Sequence, residues 1–457
     1  MLVHFILTAS LSVQLFAFVS TNKKVSAGNN LSTSSNEMQD DFITVAQHFT
    51  DLLVKKDFAA AEALFDDTMK AAMPQVKLEE TWNAVLSQVG AFKQQLKTRT
   101  EKRAAYVMVF VTCDFERMKL DVRVVLDQSK HVAGLFFGPA TNVEYTWPTY
   151  VKPDSFQEKE VVVGSGEWAL PGTLSLPAGN GPFPAVVLVH GSGPNDRDET
   201  LSVNKPFRDL AGGLASKGIA VLRYEKRTRE YPAKLAAIHS FTVKDETIDD
   251  ALAAVSLLKT TERIDPKRVF VLGHSLGGML VPRIGTLDPT IAGLISLAGA
   301  TRHLEDVIPD QYNYLLSLDG SISKEDQAQL DKYKQMSAEV KALKPSDSGS
   351  PKMIFGAPAS YWLDLSDYDP PQLAKTLKQP LLILQGERDY QVTMSDFNNW
   401  KTALTGKSNV TFKTYPELNH LFLSGTGKST PAEYDQVGHV DVRVIEDIAA
   451  WISSIRK

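Results

Sequence analysis

Hydrophobic and polar positions give the chain stretches of different texture. From Asp40 onward Phe42, Val45, Ala46, Phe49, Leu52 and Leu53 recur at helical spacing, and residues 58–69 continue the pattern. A further helix is predicted over 78–92. Strand texture follows in "AAYVMVFVTCDF" and "LDVRVVLDQSKHVAGLFF", the latter folded back at Asp127-Gln128-Ser129-Lys130 as a hairpin. Helices followed by a curled antiparallel sheet predict a small α+β domain over residues 40–140.

A proline- and aromatic-containing linker is expected at 141–157. From Glu158 to the C-terminus strand and helix alternate. "EVVVGSG" and "GTLSLP" read as an antiparallel pair. "AVVLVHG", "IAVLRY", "VFVLGH", "GLISLAG", "PLLILQG" and "VTFKTY" are short apolar runs of the kind buried on both faces of a parallel sheet. Thr242-x-x-Asp245 is a capping-box start for a helix carrying Ile248, Ala251, Leu252, Val255 and Leu258 on one face. Gly218 stands where the helix before "IAVLRY" needs a left-handed stop. The last helix keeps Val444, Ile448, Trp451, Ile452 and Ile455 on one stripe.

The alternation breaks once, at about 303–378. "SKEDQAQLDKYKQMSAEVKAL" within that stretch is helical, and "SYWLDLSDYDPPQL" is aromatic and proline-broken. An insertion there would lie over the carboxyl ends of the strands, where α/β sheets bind ligands, and reads as a helical lid. The fold class is therefore α/β: a mostly parallel twisted sheet with helices on both faces, preceded by the small α+β domain.

Composition narrows the function. With 457 residues, two or more domains are the default. A formal charge of −5 leaves no basic field to draw in nucleic acid. Cys113 is the one cysteine, so no intramolecular disulfide can form and a cysteine-based metal site is not expected, and it reads as a small buried apolar residue. The opening twenty residues are mostly apolar and predict a secretory signal over 1–27, with a flexible leader over 28–39 and a secreted or periplasmic destination. Thr8, Ser10, Ser12 and Gln14 weaken that run as a membrane span, so no stable span is expected after processing. A retained N-terminal anchor is the alternative.

The candidate chemistry centres on "VFVLGHSLGGML", residues 269–280. A strand that runs into Gly-x-Ser-x-Gly and restarts as a helix makes a nucleophile elbow. Ser275 is forced into a strained conformation, and side chains at Gly273 or Gly277 would collide with neighbouring backbone. The turn lifts the serine hydroxyl above the sheet and aims the Leu276 N–H at a nearby oxyanion. The five-residue pattern alone arises by chance roughly 0.1–0.2 times in a chain this long; its strand–turn–helix setting is what makes it specific. Pro282, two turns into the helix, is expected to kink it.

Ser275 needs a base to become a nucleophile, and the order serine, acid, histidine puts both partners downstream. "LLILQGERDYQV" supplies Asp389, with Glu387 and Asp364 as other candidates. "YPELNHLF" supplies His420, with His439 as competitor. After the first parallel strand, His190-Gly191-Ser192-Gly193 offers a second oxyanion donor, the Ser192 N–H or, next to it, Gly193. His190 and His274 stand too close to these loops to serve as the base, and read as structural or pocket-lining. Asp196, Arg197, Asp198 and Glu199 read as a salt-bridged loop. Tyr361 and Trp362 read either as lid core or as a wall of the acyl pocket.

Residues from about 160 to the end resemble the α/β-hydrolase superfamily. "HGSGPNDRDE", "GHSLGGMLVPRIG", "YWLDLSDYDP" and "LILQGERDYQV" more narrowly resemble a bacterial branch of secreted or periplasmic esterases, in which a proline after the elbow is usual. The resemblance implies hydrolysis of small carboxylic esters through an acyl-enzyme, without metal or organic cofactor, on Ser275, Asp389 and His420. Where relatives tend to carry a glycine soon after the arginine of "YEKR", this chain reads "YEKRTREY", so the rim at 227–231 departs from the pattern. The first domain is similar, in element order, to nuclear-transport-factor-like cone domains; a packing or dimerising role is the plain expectation, a homodimer being one form it could take. The rival readings are a serine peptidase or acyltransferase using the same residues, and a non-catalytic binding protein.

Overall fold

The computed structural model describes residues 35–455 apart from 104–105, 141–144, 239, 319 and 321. The signal expected at 1–27 lies outside the described residues. The chain folds as two compact units, one ending before Tyr145 and one running on from it.

In the first unit, helices Ser35–Val54, Phe58–Ala63, Asp67–Ala72 and Gln75–Val89 precede an antiparallel sheet of four strands: β1 (Phe92–Arg103), β2 (Tyr106–Phe115), β3 (Lys119–Leu126) and β4 (Val132–Pro139). Phe49, Leu53 and Trp82 from the helices meet Val109, Val111, Val122 and Val124 from the sheet in one buried core. The expected turn at 127–130 is present. Lys130 takes a left-handed φ of 65°, and the Asp127 carboxylate accepts the Ser129 and His131 N–H groups at 2.8 and 2.9 Å. Burial, aided by Asp121, pushes the Cys113 thiol up to about 12, which leaves it an inert apolar group.

Three expectations need correction here. The first helix starts at Ser35, so the end of the presumed leader is helical. The helical run expected over 58–69 breaks at Asp66, whose carboxylate caps the next helix through the Met69 N–H at 2.7 Å. Strand β1, "FKQQLKTRTEKR", was not foreseen. Its polar composition hides the period of two, and its one mid-strand apolar side chain, Leu96, is 40% exposed.

The second unit is built on one sheet of eight strands. The hairpin β5 (Phe156–Val163) and β6 (Leu170–Pro177) is followed by β7 (Phe183–Val189), β8 (Ala220–Tyr224), β9 (Ile264–His274) and β10 (Gly293–Leu297). A short pair, β11 (Met353–Ile354) and β12 (Ala357–Pro358), lies in the insertion, and β13 (Leu381–Gly386) and β14 (Val410–Tyr415) complete the sheet. The spatial order is β14-β13-β10-β9-β7-β8-β6-β5, parallel from β14 to β8. The chain goes from β7 to β8 on one side and then returns to β9 on the other. That reversal opens a crevice between the loops that leave β7 and β9.

In the central strands side chains alternate between the faces, and both faces are buried. Val187 and Val189 of β7, with Val269 and Val271 of β9, join the core under helices Asp249–Thr260 and Leu276–Leu287. Val186, Leu188, Phe270 and Leu272 face helices Pro206–Ala215 and Val442–Ser454. Continuous apolar strands follow from this double burial. Gly218 takes φ +81° after Pro206–Ala215, the stop expected from the sequence. Pro282 sits inside Leu276–Leu287, and the carbonyl its missing N–H would have bonded, that of Gly278, accepts instead from Ser296 Oγ on β10 at 2.9 Å.

The insertion serves two places. In helix Leu304–Ser317, Tyr314 stacks on Tyr390 with ring centroids 4.8 Å apart, and Leu315 joins Leu421 and Leu423, so this helix packs on the loops that leave β13 and β14. Helices Ala359–Ser366 and Pro370–Thr376 pack into the core of the unit. Trp362, Leu365 and Tyr368 enter the core beside Met279, and the Tyr368 hydroxyl donates to the Met279 carbonyl at 2.6 Å. Among the described residues no helix is long and apolar enough to cross a membrane, and no group of three or more His, Cys, Asp or Glu is gathered as metal ligands.

Candidate active site

The β9 strand runs straight into the turn at Ser275. Its φ of 54° and ψ of −116° are an uncommon conformation for a serine, worth about 1–3 kcal/mol of strain. The surroundings impose it. The Ser275 N–H donates to Leu297 O and the Met279 N–H to Ser275 O, both at 2.9 Å. A Cβ on Gly273 would collide with the Gly277 carbonyl, and one on Gly277 would collide with the Val189 carbonyl. Among the described residues the Ser275 hydroxyl has no hydrogen-bond partner.

Asp389 and His420 come from the loops after β13 and β14. Those loops approach so closely at Gly386 that a Cβ there would stand 2.5 Å from the Leu418 carbonyl oxygen. His420 Nδ1 lies 2.7 Å from Asp389 Oδ2, and both side chains are buried. Asp389 Oδ1 accepts the Gln391 and Val392 N–H groups at 2.8 and 3.0 Å, and Oδ2 accepts from Gln385 Nε2 at 3.1 Å. A carboxylate so held accepts only, so Nδ1 of His420 carries the proton and Nε2 is its basic nitrogen. Asn419 shapes the loop beneath, its Oδ1 taking the Leu421 and Leu423 N–H groups at 3.1 Å each.

The elbow and the histidine loop meet through His274. Its ring centroid lies 4.6 Å from that of His420, and its Nε2 is 2.9 Å from the His420 carbonyl oxygen. Its Nδ1 is 3.0 Å from Glu199 Oε2. Both ring nitrogens thus face acceptors, which suits a protonated imidazole. Burial lowers the His274 pKa, but Glu199 and the His420 carbonyl outweigh it and leave it raised. Burial raises Glu199, and His274, His190 and the Gly191 N–H bring it below its ordinary value.

The loop at Gly191–Gly193 sits against the turn at Ser275: a Cβ on Gly191 would stand 3.0 Å from that of Ser275. The Gly191 N–H is occupied, donating to Glu199 Oε1 at 2.6 Å. The N–H groups of Ser192 and Leu276 have no acceptor among the described residues. Gly193 takes φ +91° and, like Ser192, is exposed.

The competing residues are engaged elsewhere. His439 Nδ1 pairs with Asp209 at 3.1 Å, Asp364 with Arg283 at 2.6 Å, and Glu387 is exposed. His190 packs between Phe207 and Tyr224, and burial, opposed by Glu199, lowers its pKa to about 4. Tyr361 and Trp362 are buried with their polar ends spent, on Glu246 Oε2 and the Ile354 carbonyl, each at 2.8 Å. Asp196, Arg197 and Asp198 are bonded to Thr200, Glu160 and Lys205. The rim at 227–231 forms a short helix, Arg227–Glu230, tied to Asp250 by Arg227 Nε at 3.0 Å. A cleft of about 250 Å³ lined by Trp168, Arg227, Phe241 and Asp245 contains none of Ser275, Asp389 or His420. Sequence reasoning missed Glu199 as a contact of Gly191 and His274, and missed Gln385, Asn419, Lys226 and Glu246. Only Glu199 carried a signal, as part of the charged run after the oxyanion loop.

The sheet, its reversal at β7 and the elbow after β9 define an enzyme of the α/β-hydrolase class. The chain belongs to the family described as serine aminopeptidase, S33, whose model matches residues 182–426. It is 43% identical over 404 residues to Esterase EstD of Thermotoga maritima, a match spanning 88% of this chain and 93% of that protein. Residues 46–135 match a second family model, a protein of unknown function (DUF3887). Among solved structures, Est1E from Butyrivibrio proteoclasticus aligns with a TM-score of 0.40 at 15% identity, covering 64% of this chain and 95% of its own. The acylaminoacyl peptidase of Pyrococcus horikoshii aligns with a TM-score of 0.45 at 14% identity, over 80% of this chain and 57% of its own.

Proposed function

We propose that this protein hydrolyses small carboxylic esters through an acyl-enzyme on Ser275. The observation that carries the reading is the buried Asp389–His420 hydrogen bond at the sheet end that bears the strained Ser275. The 43% identity to an esterase over most of the chain supports the substrate class. Ser275 Oγ attacks the ester carbonyl while His420 Nε2 takes its proton, and Asp389 holds the ring and offsets its charge. The Ser192 and Leu276 N–H groups receive the oxyanion, each worth about 3 kcal/mol of barrier. The intermediate collapses, His420 returns its proton to the departing alcohol, and water repeats the sequence on the acyl group. In this reading Glu199, through its bonds to Gly191 and His274, keeps the loops in register.

A fluorophosphonate probe followed by peptide mapping tests the nucleophile: label on Ser275 alone is expected, and label elsewhere, or none on folded protein, overturns the assignment. The family's description as a serine aminopeptidase favours a second reading, peptide-bond cleavage by the same residues. Rates on short p-nitrophenyl esters against aminoacyl amides separate the two. The reading of residues 1–27 as a secretory signal is tested by sequencing the N-terminus of the exported protein.

A further inference from the structure

We infer that Lys226, Glu246 and Tyr361 form a buried chain that positions the Gly191–Ser192 peptide as an oxyanion donor, a role that deepens the acyl-transfer reading above and rests on it. Lys226 follows β8 by two residues and is 2% exposed. Its ammonium donates to the Gly191 carbonyl at 2.8 Å and pairs with Glu246 Oε1 at 3.0 Å. The other oxygen, Glu246 Oε2, accepts from the Tyr361 hydroxyl at 2.8 Å. Glu246 is itself 5% exposed and lies in a single π-helical turn, Lys244–Ile248, just before the helix Asp249–Thr260.

The geometry matters because a peptide unit is planar and trans. The carbonyl of Gly191 and the N–H of Ser192 belong to one unit and point in opposite directions. A charge-assisted hydrogen bond on the carbonyl therefore fixes where the N–H points and increases its polarity. Asn195 Nδ2 adds a second donor to the same carbonyl at 3.1 Å, and the Gly191 N–H is held by Glu199 on the other side. Residue 191 is thus held by buried ionic groups at both its carbonyl and its N–H, the latter in the preceding peptide unit. The one donor of the Gly191–Ser192 peptide, the Ser192 N–H, has no acceptor among the described residues, and Gly191 itself stands against Ser275. A lysine placed only to neutralise Glu246 has no need of that carbonyl. The third member, Tyr361, comes from helix Ala359–Ser366 of the insertion, so the insertion acts on the oxyanion loop from within the core.

The test uses the full chain with Lys226→Met/Glu246→Gln, which removes both charges together and leaves neither buried alone. Loss of one oxyanion donor costs about 10²–10³ in kcat. A displaced donor is expected to cost about tenfold or more in kcat on p-nitrophenyl esters, with KM within about twofold. Inhibition by a trifluoromethyl ketone, whose adduct with Ser275 places an oxyanion at the same donors, is expected to weaken by a similar factor. Tyr361→Phe leaves the ion pair in place and is expected to show a smaller loss of the same kind. A folded double variant, with the parent's near-ultraviolet circular dichroism, that keeps kcat within twofold or changes only KM overturns the role. Should the double variant fail to fold, Tyr361→Phe decides by the same two readouts, and an unchanged kcat and inhibition constant overturn it. Failure of the underlying reading shows separately, as turnover that survives Ser275→Ala.

Discussion

The strain at Ser275 is maintained by atoms that leave no space for an alternative. Gly273→Ala would drive a methyl group into the Gly277 carbonyl, in backbone that cannot yield without moving β9 or the following helix. It is expected to cost about 4 kcal/mol or more, read as a fall in the urea midpoint, or to prevent folding. Asp389→Asn keeps the shape of the loop but removes the charge that fixes the His420 tautomer. It is expected to lower kcat by about 10⁴, with the fold intact by circular dichroism. The neighbouring ion pair sets a pH dependence of stability. His274 has a raised folded pKa, so its contribution is complete below the ordinary histidine range near 6.5 and is lost as pH rises through the raised value. Glu199 has a lowered one, so its share is complete above the ordinary carboxylate range and is lost on acidification. Unfolding midpoints of the parent should therefore decline on the alkaline side, and this part of the decline should vanish in His274→Gln. His190 acts in the opposite sense: buried neutral at about 4, it withdraws up to about 3 kcal/mol as pH falls from 6.5 toward 4.

Local rules predict an element well when the element satisfies its own backbone. The capping box at Thr242 and Asp245 formed, with the Thr242 N–H donating to Asp245 Oδ2 at 2.8 Å. The helix that follows begins with a π turn, however, which no periodicity announces, and that turn carries Glu246 in the chain to Lys226. Pro282 is the complementary case. Its conflict with the helix is resolved by Ser296, which reaches across from β10 to the orphaned Gly278 carbonyl. Ser296→Ala should cost about 1–3 kcal/mol by leaving that carbonyl buried and unpaired. Pro282→Ala restores an N–H that can serve it, so the double variant should recover much of the loss. A coupling energy near zero in the four-variant unfolding cycle would show that the hydroxyl and the proline are independent. The edge strand β1 escaped prediction for a related reason: past Phe92 its lysine, glutamine, threonine and arginine residues are broken only by the exposed Leu96, too little to mark a face.

At the scale of the molecule, residues 145–157 of the stretch expected as a linker are integral to the second unit. The Tyr150 hydroxyl donates to the Val440 carbonyl at 2.8 Å, Trp147 fills the space left by Gly212, and Val151 and Phe156 are buried. A chain beginning at residue 158 discards these contacts, whereas one beginning at 145 keeps them. Their burial is worth on the order of 5 kcal/mol, so the shorter chain should melt about 10 °C or more below the longer one in a thermal scan.

Sequence alone determined the parts whose physics is local: the strand–turn–helix at Ser275, the placing of Asp389 and His420 each after a separate parallel strand, and the small residues after β7. Each follows from steric limits and burial period within a few residues, so short quoted stretches were enough to find them. Only the tertiary structure decided which buried charges meet. Lys226 reaches Glu246 and the Gly191 carbonyl, and Glu199 reaches His274 and the Gly191 N–H, across gaps in the chain that no periodicity spans. An ion in a low-dielectric core is stable only beside its partner, and three-dimensional packing selects that partner.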